Sequence, residues 1–251
     1  MILPNKFSSA YRASTEITID QCAVNSYIQI THLLNILQAV AGKHSALGGM
    51  SYFDMQQQNQ AWVLSTMRIE IKNLPQWHDQ IEVETWIETL SGIKSVRDFE
   101  IIHNNKKIIG ITSLWVVVNT EKRRPEPIKL PHDHLQKFPN RKPTLEPLQK
   151  LNLNFTADIV GEHTVVYSDL DALNHVNNAK YVEWCLDHLP VEMLTQSSIT
   201  AIVLNFLKEV SLGEKVAIYR TFVKKEVYFY LKLNETICFA MKLTLKTNDE
   251  L

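Results

Sequence analysis

One order of elements occurs twice along this chain, and a duplicated order restricts the fold more than any single motif does. Tyr11 to Ile19 alternate as a strand, with Asp20 at its end. Ile30, Leu33, Leu34, Leu37 and Ala41 then recur at three- and four-residue spacing until Gly48 and Gly49, which predicts a long helix with one apolar face. Strand-like runs follow from Trp62 to Ile71, Gln80 to Leu90, Lys94 to His103 and Lys107 to Asn119, punctuated by Pro75, Gly92 and the pair Asn104 and Asn105. Between Arg123 and Pro147 no period of either kind is sustained, and Pro125, Pro127, Pro131, Pro139, Pro143 and Pro147 account for most of the chain's nine prolines. The order then restarts: a strand from Thr156 to Tyr167, a helix from Asn177 to Leu189, and strands from Thr200 to Val210, Glu214 to Phe222, Glu226 to Leu233 and Thr236 to Lys246.

A strand, a long helix and an antiparallel meander describe a sheet wrapped around a helix. The expected fold is therefore α+β, a tandem (double) hotdog with two antiparallel sheets, each wrapped around its helix. Its expected parts are an N-terminal unit over 1–124, a proline-rich linker or surface-hugging crossover over 125–150, and a C-terminal unit over 151–251. Duplication supplies within one chain the helix pairing that a single unit gains by dimerising, so monomer and homodimer are both compatible.

Composition narrows the class. With 251 residues, 45% hydrophobic and 21% charged, the chain is an ordinary globular protein, and its net charge of -1 gives no footprint for nucleic acid. No apolar run approaches a membrane span, and the first residues carry no signal-peptide pattern, so a cytoplasmic protein is expected. Cys22, Cys185 and Cys238 are widely spaced within apolar runs, which suggests inert thiols and neither disulfides nor a metal site. No cofactor is implied.

Chemistry concentrates between Asp169 and Trp184, where Asp169, Asp171, Asn174, His175, Asn177 and Asn178 fall at a strand-to-helix junction. Asn174 is the expected N-cap, with His175 in the first turn. Unpaired N–H groups at a helix start suit a carbonyl oxygen that becomes an oxyanion. Capping alone would use one or two of these side chains and leave Asp171 and His175 without a purpose. A gapless superposition of the two halves puts Cys22 at Asp171 and Ser26 at His175, and a second puts Ile69 at Glu209. The ionisable groups belong to the second copy, which suggests an active C-terminal half and an N-terminal half that shapes the pocket.

These residues, with Leu37, Gln38, Ala41 and His44 on the first helix, Trp62 to Leu64, Pro75 to Asp79, Thr85 and Trp86, Arg97 to Phe99, Ser113 to Trp115, Arg123 to Pro125, and His175 to Asn178 with Lys180 and Tyr181, resemble the acyl-acyl carrier protein thioesterases. The resemblance runs almost end to end. It implies tandem-hotdog enzymes of bacteria and plant plastids that hydrolyse fatty acyl-acyl carrier protein to free fatty acid, with the carrier protein as partner and no cofactor. It also implies a site in which Asp171, His175 and Glu209 match the family's aspartate, histidine and glutamate. The plant-type asparagine falls at Leu173, and the adjacent Asn174 is the available substitute. A cysteine that some plant members carry after the glutamate is Val210 here, so no thiol nucleophile stands there.

On this reading Glu209 is the general base that activates water, Asp171 and His175 form the network that orients the water, and Asn174 with the helix N-terminal amides stabilises the oxyanion; the reverse assignment of the two carboxylates stays open. Leu33, Leu37, Trp62 and Met67 are candidate acyl-binding residues, and Lys94, Arg97, Arg123 and Arg124 a candidate basic rim for the acidic partner. Two alternatives stay open: an acyl-coenzyme A thioesterase, and a non-hydrolytic acyl-binding or dehydratase-like protein.

Overall fold

In the first half, residues 10–16 form β1, whose burial alternates along its length, and Ile30–Leu47 form α1, whose inward stripe is Ile30, Leu33, Leu34, Leu37 and Val40. A short helix, α2, spans Tyr52–Gln56, and the strands are β2 (Gln60–Ile71), β3 (Gln80–Ser91), β4 (Lys94–His103), β5 (Lys106–Asn119) and a two-residue β6 at Arg124–Pro125. The second half contributes β7 (Asp158–Thr164), α3 (Asn178–Leu186), a short α4 (Val191–Gln196), β8 (Ser197–Phe206), β9 (Lys215–Val223), β10 (Glu226–Leu233) and β11 (Thr236–Thr247). The structure, a computed structural model, describes residues 7–247.

The two expected sheets are joined. β2 pairs antiparallel with β8 from Thr66 opposite Asn205 to Glu70 opposite Ala201, giving one continuous order β1-β3-β4-β5-β2-β8-β11-β10-β9-β7. Each half thus covers the edge strand that the other would expose. α1 and α3 lie together against the inner face, and the main core runs through both halves, from Leu33 and Leu37 of α1 through Met67 and Ile69 to Leu204 and Phe239.

Even the irregularities are duplicated. A bulge falls between Ile101 and Ile102 of β4 and again between Leu231 and Lys232 of β10. Backbone hydrogen bonds fix the true register of the repeat. Ala23 N–H donates to Tyr27 O as Asp171 N–H does to His175 O, and Ser26 and Asn174 share a left-handed φ of 63° and 61°. His78 N–H donates to Ile17 O as Gly213 N–H does to Val165 O, while Gln76 and Ser211 N–H bond Asp79 and Glu214 carboxylates respectively. The counterparts of Asp171, His175 and Glu209 are therefore Ala23, Tyr27 and Leu74. The gapless matches to Cys22, Ser26 and Ile69 are corrected, the first two by one place and the third by five, because turn geometry sets the register and similarity of neighbouring residues does not. The first half still lacks all three ionisable groups.

Two element ends also differ from expectation. β8 stops at Phe206 because Leu207 and Lys208 N–H both donate to the single carbonyl of Cys238, which breaks the ladder before Glu209. α3 ends at Leu186, and Pro190 opens α4 instead of closing α3; Met193 N–H bonds its carbonyl. The proline-rich segment hugs the outer face of the first half. Arg141 bonds Glu84 at 2.6 Å and Glu100 at 2.9 Å with its guanidinium over the Trp86 ring, and Leu145 and Glu146 N–H bond the Glu70 carboxylate. Gly110 admits the Pro143 carbonyl where any Cβ would lie 2.0 Å from its oxygen.

Candidate active site

A tight turn presents Asp171. Its Oδ1 accepts from Leu173 N–H at 2.8 Å and His175 N–H at 3.2 Å, while Asn174 takes the left-handed φ that an asparagine tolerates well. Asn174 is thus the hinge of the turn and not the N-cap. The cap is Asn177, whose Oδ1 accepts from Ala179 N–H at 2.9 Å. Asp169 builds the base of the turn from within. Burial alone would raise its carboxyl, but Val166 N–H and His163, each at 2.8 Å, hold it below its usual value.

Glu209 arrives from the segment after β8, 34 residues beyond His175 in sequence, and the two meet in space. His175 Nε2 lies 3.1 Å from Glu209 Oε1, and the other carboxylate oxygen lies 2.6 Å from the Arg123 guanidinium, which comes from the β5–β6 turn of the opposite half. Val210 N–H donates to Tyr181 OH at 3.3 Å, fixing the segment beside Glu209 to α3. Both Glu209 oxygens are therefore engaged. One oxygen of Asp171 accepts two N–H groups, and no hydrogen bond occupies the other among the described residues.

Asp171, His175 and Glu209 line one cavity of about 660 Å3 that continues into the first half. α1 borders it through Gln38, Ala41, Gly42 and Ser45, an i, i+3, i+4, i+7 face beside the leucine stripe. Trp62 is in the wall. Leu33, Leu37 and Met67 pack instead into the core, at most 3% exposed, because apolar periodicity marks the face of α1 that meets the sheet and α3. Asn174 is exposed outside the wall, whereas Asn178, at the start of α3, is part of it. Arg97 is no rim residue: it is 6% exposed, inside the cavity wall, and bonded to His44, Ser45 and Thr85.

The thiols stand apart from this chemistry. Burial pushes Cys185 far up and Cys238 up to about 11, and burial also raises Cys22. Gln38 and Arg123 are the members that periodicity did not single out. Gln38 had one local signal, a carboxamide set among apolar helix positions; Arg123 stood in the family resemblance and as a basic-rim candidate, but nothing local tied it to Glu209, since that partner lies 86 residues away.

The comparisons match this arrangement over nearly the whole described chain. The acyl-ACP thioesterase N-terminal domain matches residues 8–136 and the acyl-ACP thioesterase C-terminal domain residues 154–249. The chain is 29% identical over 215 residues to a chloroplastic acyl-[acyl-carrier-protein] hydrolase of Cuphea viscosissima, covering 80% of this chain and 52% of that one. It is 30% identical over 213 residues to a chloroplastic palmitoyl-acyl carrier protein thioesterase of Gossypium hirsutum, covering 78% and 50%. The chain thus spans about half the length of these curated relatives. Among solved structures, an acyl-ACP thioesterase from Bacteroides thetaiotaomicron superposes with a TM-score of 0.85 at 24% identity, covering 95% of this chain and 98% of that one. The 12:0-ACP thioesterase from Umbellularia californica does so with 0.82 at 22%, covering 96% and 98%. With the first family domain laid on β1 to β6 and the second on β7 to β11, this chain belongs to the acyl-ACP thioesterase family.

Proposed function

We propose that this chain hydrolyses the thioester of a fatty acyl chain on acyl carrier protein, in the cytoplasm, releasing free fatty acid for lipid metabolism. The observation that carries this reading is the meeting of Asp171, His175 and Glu209 at one end of a single long cavity. Geometry favours Asp171 as the base. Its open oxygen takes a proton from water as the water oxygen bonds the carbonyl carbon, whereas both Glu209 oxygens are held by His175 and Arg123. The role of Glu209 is then to orient His175, whose protonated ring donates a proton to the departing thiolate as the C–S bond breaks. The helix start at Asn178 faces the cavity and suits the oxyanion, a role that position serves better than exposed Asn174. Every group in this scheme comes from one chain, which supports a competent monomer.

The test is free fatty acid release from acyl carrier protein thioesters of graded chain length, with matched coenzyme A esters alongside. Preference for the carrier-protein esters is expected. Preference for coenzyme A would move the assignment to an acyl-coenzyme A thioesterase, and no release from either would refute hydrolysis.

A further inference from the structure

Hydrolysis accounts for one end of the cavity and leaves the other end unexplained. On α1, Gln38 touches Asn177 beside the reactive groups and Ser45 touches Arg97, and the helix between them rises about 10 Å. Across the sheet, β4 carries Arg97 and Ser95, and the pairings β4–β5, β5–β2 and β2–β8 separate it from the strand leading to Glu209, roughly 14 Å at about 4.8 Å each. Leu64, Trp115, Met50 and Leu90 line the cavity along with these polar groups. The far end is polar again.

Arg97 there is a buried cation with no anion beside it among the described residues. Its NH1 donates to His44 Nδ1 at 2.9 Å and Thr85 Oγ1 at 3.3 Å, and its NH2 to Ser45 Oγ at 3.0 Å. All three acceptors are neutral. Burial and the guanidinium itself push His44 down to about 4, so its Nδ1 accepts from Arg97 and its Nε2 carries the hydrogen to Ser8 O at 3.0 Å. Among the described residues no carboxylate pairs with Arg97; neighbouring Asp98 alternates to the opposite face of β4. A guanidinium has five N–H groups, and three are used. Burying an unpaired charge costs several kcal/mol, and a hydrocarbon terminus offsets none of it. Ser95, 4% exposed in the same wall, adds a hydroxyl.

We propose that this end of the cavity is a second binding site, for an acceptor oxygen at the distal end of the acyl chain and above all a carboxylate. The preferred substrates are then half-thioesters of dicarboxylic acids whose length spans the two polar ends. The reaction named here rests on the hydrolase reading; the binding does not.

Two measurements separate them. Trp62 and Trp115 line the cavity, so their fluorescence reports binding of a free monocarboxylic acid and of the dicarboxylic acid with the same number of carbons. In parallel, kcat/KM is measured for carrier-protein thioesters of one length ending in methyl, hydroxyl or carboxyl. The carboxyl-ended member of each pair should be favoured by about tenfold or more, as a charged hydrogen bond implies. Arg97→Gln should bring that ratio to about one. If Arg97→Gln does not fold, Arg97→Lys should keep a reduced preference, since it retains charge without the planar fork. Equal or better binding and turnover of methyl-ended chains by the native protein would overturn the proposal. Selective diacid binding without turnover of any thioester would instead refute hydrolysis and leave the second site standing.

Discussion

Gln38 Nε2 donates to Asn177 Oδ1 across 3.2 Å, tying the helix of the half that lacks counterparts of Asp171, His175 and Glu209 to the cap of the helix that follows Asp171 and His175. The bond reaches over 139 residues of sequence. Gln38→Leu should cost about 1 kcal/mol of stability, the worth of a neutral hydrogen bond. It should also lower kcat more than it raises KM, because the cap positions the turn and not the chain. Denaturant midpoints and steady-state kinetics on one ester check both parts; unchanged kcat would remove Gln38 from the site.

The acids should separate by role. Asp171→Asn is expected to lose about 100- to 10,000-fold in kcat, the usual worth of a general base, while keeping its circular dichroism. Glu209→Gln retains an acceptor for His175 and should lose less. The reverse ranking would make Glu209 the base.

Arg123 and Glu209 form an exposed pair, the arginine side chain being 71% accessible, so Arg123→Gln should change stability by under about 1 kcal/mol. Turnover of a small thioester should nonetheless fall, because one Glu209 oxygen is released. Added salt should weaken native turnover toward the variant's level and leave the variant little affected.

Stability should depend on pH through two buried groups of opposite sign. Burial pushes Asp98, fully enclosed and close to Glu88, up to about 7, so between about pH 4 and 7 the folded protein holds a proton that the unfolded chain has lost, and stability falls as pH rises. Burial pushes His44 down to about 4, so between about 4 and 6.5 the unfolded chain holds the extra proton, and stability rises with pH. In the native protein these slopes oppose. Asp98→Asn should unmask the His44 slope, giving stability that climbs from pH 4 to 6.5 and is then flat, and should stabilise the protein at pH 8. Urea midpoints across that range read the sign directly.

Gly110→Ala would drive a methyl group against the Pro143 carbonyl, whose oxygen lies 2.0 Å from the position a Cβ would take. Loosening of the proline-rich strap is expected, seen as a lower Tm and as faster proteolysis within residues 126–157.

Periodicity along the chain was enough for the repeat of strand, helix and antiparallel strands, because side chains facing a core must recur at two or at 3.6 residues wherever they lie. It also placed the ionisable groups in the second copy, since Asp171 and His175 are local to one turn. Contacts between distant segments are a different matter. That Glu209 leaves the strand after Phe206 and reaches His175, that Arg123 crosses from the other half to hold it, and that β2 joins β8 depend on ladder register and on where a bulge ends a strand. Nor does periodicity distinguish the face of α1 that packs, with Leu33 and Leu37, from the face that borders the cavity, with Gln38 and Ser45. A single sequence records which residues avoid water. Only the packed sheet decides which of them meet one another and which meet empty space.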